Sequence, residues 1–357
     1  MCGAQGRERP AKELWDAMTA TLQHNDARPD ALTAGAAAPW LVGDIGATNA
    51  RFGLLSPDGA ILDSRVFAGA DFAELGDAID AYLGSLGNRP RPRLGALAIA
   101  AAITGDEIHM TNLPWRFSIT ALRDRLGFSQ LIAINDFTAA ALALPRLAAA
   151  DRAQVGGGSA VAGAPLAVLG PGSGLGVSGL FHTGSRWMAL SGEGGHVTMA
   201  ATTERENAVL QLMRRRFDHV SAERCLSGPG LVNLYNSLAA LDRVPAASYT
   251  AAQITDAEIG ADDPLCREAT AMFCAMLGSV AGDLALTLGA RGGVYIAGGI
   301  VPRLGARFAD SEFRARFEAK GRMAPYLATV PAFVVTHRLP AFLGCAAALA
   351  EPPPTPP

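Results

Sequence analysis

The chain has 357 residues, half of them hydrophobic and 18% charged, with a net charge of −3. That length suits two domains with substantial cores. The near-neutral charge excludes an electrostatic footprint for nucleic acid or an anionic membrane surface and directs attention to a small ligand.

Residues 1–39 mix alanine with charge and hold at best a short helix at 11–23. They are expected to be a poorly ordered extension, and they lack the apolar centre of a signal peptide. Alternation begins at Trp40, with strands predicted at 40–46, 50–56 and 61–67 joined by tight turns such as "SPDG" at 56–59. A helix at 72–85, a buried strand "LGALAIAAA" at 94–102, a helix at 118–126 and a strand "LIAIN" at 131–135 follow, the pattern of α/β layers with parallel strands. The segment 165–192 repeats the opening theme of strand, glycine turn, strand, turn and strand. Helices at 204–217, 228–240 and 264–289, a strand at 292–298 and a terminal helix from about 341 complete the chain. A duplicated architecture with a cleft between two lobes is expected. The smaller α/β domain takes 40–145 plus about 338–351, the larger 146–337, and 352–357 form a disordered tail. No run reaches the roughly 18 apolar residues of a membrane span.

Some enzyme classes are excluded directly. Lysine occurs only at Lys12 and Lys320, neither of them in G-x-x-x-x-G-K-[ST], so there is no P-loop. The cysteines Cys2, Cys225, Cys266, Cys274 and Cys345 form no C-x-x-C pair, which argues against a disulfide framework or zinc site and for a reducing cytoplasm.

The turn inside "LVGDIGATNARFGLL" (41–55) carries Asp44, Gly46, Thr48, Asn49 and Arg51, more polar chemistry than a hairpin needs. "GPGSGLGVSG" at 170–179 contains a G-x-G-x-x-G match at Gly174, Gly176 and Gly179. A dinucleotide fingerprint must open a helix, and the residues that follow have strand character. We therefore read a hairpin whose backbone N–H groups, with the Ser173 hydroxyl, approach phosphate oxygens. Paired with the 43–49 turn it would form a phosphate clamp, with Asp44 near a Mg²⁺ ion. "AINDFTAAALALP" puts Asn135 and Asp136 at the end of a buried strand, where ligands bind in open α/β sheets; the competing reading is that Asp136 caps the next helix. Glu193 and His196 share the loop "LSGEGGHVTMA", expected to be non-helical, and Glu223 precedes a helix capped by Ser227 with Pro229 in its first turn. As bland features these are a surface loop and a solvated charge. Taken with Asn135 and Asp136 they are a set suited to sugar hydroxyls.

In order along residues 40–350, the segments "LVGDIGATNARFGLL", "TNLPWRFSI", "INDFTAAALALP", "GPGSGLGVSGL", "GEGGHV", "HVSAERCLSGPGLVNLY" and "GGVYIAGGIVPR" resemble the bacterial ATP-dependent glucokinase family. The resemblance implies the two-lobed actin-like ATPase (ribonuclease H-like) α/β fold, with ATP between the lobes, D-glucose beside it and the C6 hydroxyl as acceptor. It implies Asp136 as catalytic base, with Asn135, Glu193, His196 and Glu223 holding glucose. Nucleotide would contact Gly43, Asp44, Ile45, Gly46, Ala47 and Thr48 in the first loop, Gly172, Ser173 and Gly174 in the second, and Gly298 and Gly299 beyond. Mg²⁺ would be held at Asp44, through water, and a homodimer is implied. The chain departs from the family pattern at Ala47, Ala102, Thr198 and Met199, none of them in the sugar set. The cysteine-rich zinc motif of the repressor-related sugar kinases is absent. Another hexose as substrate, or a glucose-binding regulator without turnover, are the alternatives; the missing helix-turn-helix and the presence of Asp136 argue against the regulator.

Because residues 1–37 contribute no alternating core pattern, a chain beginning at Ala38 is expected to keep its melting temperature and turnover. Loss of folding on this truncation, followed by circular dichroism, would contradict the reading.

Overall fold

The computed structural model describes residues 38–56, 58–110 and 113–350. The extension and helix expected within residues 1–37, and the tail 352–357, lie outside the described residues. Strands β1 (Trp40–Ile45), β2 (Asn49–Leu55) and β3 (Ile61–Ala68) form an antiparallel meander. Helix α1 (Leu75–Gly84) leads to β4 (Leu94–Ile99), a small ribbon of β5 (Glu107–His109) and β6 (Arg116–Ser118), helix α2 (Ile119–Leu126) and β7 (Gln130–Asn135). β4 and β7 join β1 in parallel, giving the sheet order β3-β2-β1-β4-β7. Period-two alternation divides this sheet. Leu41 and Ile45 join Phe52, Tyr82 and Trp115 in a core beneath α1 and α2, whereas Val42, Ala96 and Ala98 face the opposite side.

Helix α3 (Asp136–Ala143) crosses to the second half. There β8 (Arg152–Val155), β9 (Leu166–Pro171), β10 (Leu175–His182), β11 (Trp187–Ser191), β12 (Gly293–Ile296) and β13 (Ala332–Val335) form a sheet of order β11-β10-β9-β12-β13-β8. Apart from the added edge strand β8, it repeats the first sheet, with two antiparallel pairings followed by two parallel ones. Helices α4 (Glu204–Arg214), α5 (Gly228–Asp242) and α6 (Pro264–Leu288) cover one face over the largest core, which includes Leu169, Leu234, Phe273 and Phe317. α6 corrects the expectation that no segment has the length and composition of a membrane span. Its mean hydropathy reaches 1.7, because a helix walled in by core is apolar on most of its circumference.

The terminal helix α7 (Pro340–Ala350) returns to the first sheet. It packs on α3 with backbone nearly touching backbone: a Cβ on Gly344 would lie 1.9 Å from the Ala139 carbonyl oxygen. On its other flank α3 sends Phe137 over β9 and β10, where a Cβ on Gly176 would come within 1.8 Å of the ring. The alanines of "DFTAAALA" serve this close packing. Predicted element positions agree to within a few residues, but β8, β13 and the β5–β6 ribbon went unforeseen. Strands of three or four residues are too short for their alternation to stand out.

Gly344→Ala has only backbone to displace, so we expect about 1–3 kcal/mol of destabilisation. In a chain of this size that lowers Tm by roughly 1–4 °C. Gly84→Ala, at the end of α1 with nothing within 4 Å of the added methyl, is the control. Its Tm is expected to stay within about 2 °C of the parent in thermal melts.

Candidate active site

The parallel strands β1, β4 and β7 end on one edge of the first sheet, and their carboxyl ends bring together the 44–48 turn, Ala101 and the Asn135–Asp136 pair. Asp44 lies on the same face of β1 as Val42, toward α3 and α7. Its Oδ2 receives a hydrogen bond from Arg51 Nη1 at 3.2 Å. Burial raises its pKa, and the Arg51 charge opposes the rise. Gly46, Ala47 and Thr48 form the bend, closed by Gly46 N–H donating to the Asn49 carbonyl (2.9 Å), while Thr48 is exposed. Gly43 and Ile45 are different. Both are held within β1 by pairing to β2 and β4, Ile45 is wholly buried, and a Cβ at Gly43 would meet Leu97 at 2.6 Å. Their side-chain positions serve the core.

The helix cap is Asn135, which corrects the reading that assigned capping to Asp136. Asn135 Oδ1 accepts from the N–H groups of Phe137 (2.9 Å) and Thr138 (3.1 Å). Its Nδ2 donates to Asp136 Oδ1 (2.9 Å) and to the Ala101 carbonyl (3.3 Å). Every donor and acceptor of this amide is thus engaged within the protein. Asp136 occupies the first helical position, where its Oδ1 also accepts from Phe137 N–H at 3.0 Å. Desolvation is the largest influence on this carboxyl; the Phe137 N–H opposes it, and the charges of Asp44 and Glu193 add to it, bringing the pKa up to about 6. Asp44, Asp136 and Glu193 therefore share one electrostatic neighbourhood.

In the second sheet, the glycine-rich stretch is the hairpin expected from the sequence: β9 and β10 pair antiparallel, with Leu175 opposite Pro171. Gly172 N–H donates to the Gly174 carbonyl, and Gly228, at the start of α5, donates to the Gly172 carbonyl, both at 2.8 Å. Ser227 caps α5, its Oγ accepting from Gly230 N–H at 3.0 Å. Gly298 lies against the end of β9 with φ +82°, and a Cβ there would meet the Pro171 carbonyl oxygen at 2.4 Å. Gly172, Ser173 and Gly299 line a cavity of about 410 Å³ together with Gly228, Thr250 and Arg303. Arg303 and Thr250 were missed. Arg303 closes the segment "GGIVPR", one helical turn past Gly299, and that offset was the available signal.

Glu193 and His196 are exposed on a loop that turns as a 3-10 helix at Gly194–His196, where an irregular loop was expected. Its backbone is held from two sides: His219 Nε2 bonds the His196 carbonyl (3.0 Å), and Glu223 N–H donates to the Gly195 carbonyl (2.9 Å). The half-buried Glu223 accepts from Leu175 N–H at 2.9 Å through Oε2. Of the departures from the family pattern, Met199 is buried in the larger core, and Thr198 bridges to Ser221, the two lying two residues from His196 and Glu223 respectively. Among the described residues no three His, Cys, Asp or Glu side chains form a metal-binding cluster.

Comparison with known proteins is consistent along the whole described chain. Residues 41–352 match the family model described as Glucokinase. The chain is 52% identical over 313 residues to the glucokinase of Paramagnetospirillum magneticum, covering 87% of this chain and 98% of that one. It is 51% identical over 312 residues to the glucokinase of Aromatoleum aromaticum, covering 87% and 94%. Among solved structures, a glucokinase from an Antarctic psychrotroph has a TM-score of 0.79 at 38% identity, covering 88% of this chain and 99% of that one. The duplicated sheets, the paired glycine turns and half-identity over most of the length agree, and the chain belongs to the glucokinase family.

Proposed function

We propose that this chain transfers the γ-phosphoryl group of ATP to the C6 hydroxyl of D-glucose, giving glucose 6-phosphate and ADP. The observation that carries the reading is Asp136. It is a half-buried carboxyl with a pKa near 6, held through one oxygen by Asn135 on a helix lodged between two sheets that both end in glycine turns. A base of that pKa is mostly ionised at neutral pH yet retains enough basicity to accept the hydroxyl proton as the nucleophile attacks. The remaining chemistry is positioning and charge neutralisation about a loose, in-line transition state.

In this proposal the 46–48 and 172–174 turns direct N–H groups at the phosphates, and the cavity beside Gly172 and Gly299 takes the nucleoside end of ATP. Arg303 adds a cation there. Glu193, His196 and Glu223 hold the ring hydroxyls of glucose, while Asn135 acts chiefly by orienting Asp136. Gly43 and Ile45 contribute by shaping β1. Mg²⁺ would arrive with ATP and be held at Asp44 through water, where it neutralises charge on the phosphates. The two sheets would be the cores of two lobes, the smaller from 40–145 plus about 338–351 and the larger from 146–337. A cytoplasmic site is supported by the four described cysteines, all free and buried. A homodimer, implied by the family resemblance, belongs to the same proposal.

Asp136→Asn retains shape, and the cap belongs to Asn135, so the variant is expected to fold and bind glucose while kcat falls about 10²–10⁴-fold. For the parent, kcat/KM is expected to fall as pH drops through about 6, because protonation removes the base; the Asn variant should lose that limb. A kcat within about threefold of the parent, in a coupled ADP-release assay, would refute the assignment.

Glu193→Gln and Glu223→Gln are each expected to raise the glucose KM roughly tenfold, since a buried polar contact to a charged group is worth about 1.5–3 kcal/mol. An unchanged KM in both would remove these residues from the sugar site.

A further inference from the structure

The segment 221–228 is bonded to both the 172–175 turn and the 193–196 loop of the larger half. Glu223 Oε2 accepts from Leu175 N–H (2.9 Å), Glu223 N–H donates to Gly195 (2.9 Å) in the Glu193–His196 loop, and Gly228 N–H donates to Gly172 (2.8 Å) in the nucleotide turn. Ser227 Oγ donates to the Glu223 carbonyl (2.8 Å), locking the segment onto the start of α5. The contact with the turn is close: a Cβ on Gly174 would lie 2.5 Å from Glu223 Oε2. Among the described residues no donor is bonded to Oε1. One carboxylate thus presents one oxygen to the nucleotide turn and has the other available for a hydroxyl.

We infer that Glu223 is a positioning residue for the nucleotide as well as a sugar ligand, its Oε2 holding the Gly172–Leu175 turn in the shape that receives phosphate. The inference rests on the proposed glucokinase reading. It differs from a sugar-ligand role alone in one respect: altering Glu223 changes nucleotide affinity with no sugar present. The carboxylate is a charged acceptor for a backbone N–H, a contact of the stronger class. Through it, sugar bound at Oε1 and phosphate bound at the turn act on one another, and such coupling is reciprocal.

The test is calorimetric titration of the full chain with Mg·ADP in the absence of glucose. Glu223→Ala removes the acceptor and is expected to weaken ADP binding about five- to tenfold. Glu223→Asp retains the charge but is one methylene too short to reach Leu175; it should show the same direction of change and decides the matter if the alanine variant fails to fold. Glu223→Gln still offers an oxygen to Leu175 N–H, so ADP affinity should return to within about twofold of the parent while glucose binding stays weak. Glu193→Gln, whose carboxylate touches no part of the turn, should weaken glucose alone. Parental ADP affinity in folded Glu223→Asp or Glu223→Ala, or an equal loss in Glu193→Gln, would overturn the inference. If instead Glu193→Gln and Glu223→Gln bind glucose like the parent, the sugar assignment fails while the ADP result still stands or falls by itself.

Discussion

The rest of the structure depends on the contact between α3 and α7. These two helices are wedged between the sheets, and their backbones approach as closely as they do because Gly344 has no side chain opposite Ala139. Glycine at Gly176 and Gly170 then lets Phe137 lie flat on the second sheet. Interiors are packed to crystalline density, so a helix gripped on both flanks has little freedom to shift. The first residue of that helix is Asp136. Its placement is therefore set by apolar packing on α3, and the polar groups at its N-terminus make only the final adjustment.

That adjustment is electrostatic. A carboxyl removed from water beside Asp44 and Glu193 has reason to stay protonated. The Phe137 N–H and the Asn135 amide, both donating to the same oxygen, limit the effect, and the first turn of a helix favours negative charge. The net result is a carboxyl with a pKa of about 6. Arg51 does the equivalent for Asp44, its charge opposing the rise that burial causes. The proposed phosphoryl transfer would use that division of labour, with Asp136 for the proton and Asp44 for a hydrated cation.

On the opposite side, hydrogen bonds join elements that the larger core anchors separately. The 172–175 turn, the 193–196 loop and the start of α5 are separate in sequence; Leu175, Leu226 and Leu231 anchor the first and last in the larger core. The 221–228 segment supplies their common support. Exposed loops are the ready movers of a fold. Hydrogen bonds to the 221–228 segment tie these loops to one another.

Much was legible without coordinates. Period-two runs located the strands of both meanders, glycine and proline marked the turns, and the strand character after Gly176 was enough to reject a dinucleotide fingerprint in favour of a hairpin. Asp44, Asn135 and Asp136 stood out as polar residues at strand ends beyond what turns require, whereas Glu193, His196 and Glu223 gained weight only as a set and from the family resemblance. Local sequence could do this because alternation, caps and turn chemistry act over a few residues. It could not divide the cap between Asn135 and Asp136, since both can accept from the same N–H groups and only side-chain direction decides. Nor could it distinguish Gly43, spared a side chain for Leu97, from Gly46 at the open bend. Arg303 in the cavity, Glu223 on the Leu175 N–H and Gly344 against Ala139 join residues from about 48 to more than 200 positions apart. Those pairings exist only once two sheets and two helices have closed on each other, because a long-range contact is specified by packing of the whole chain and by no local pattern.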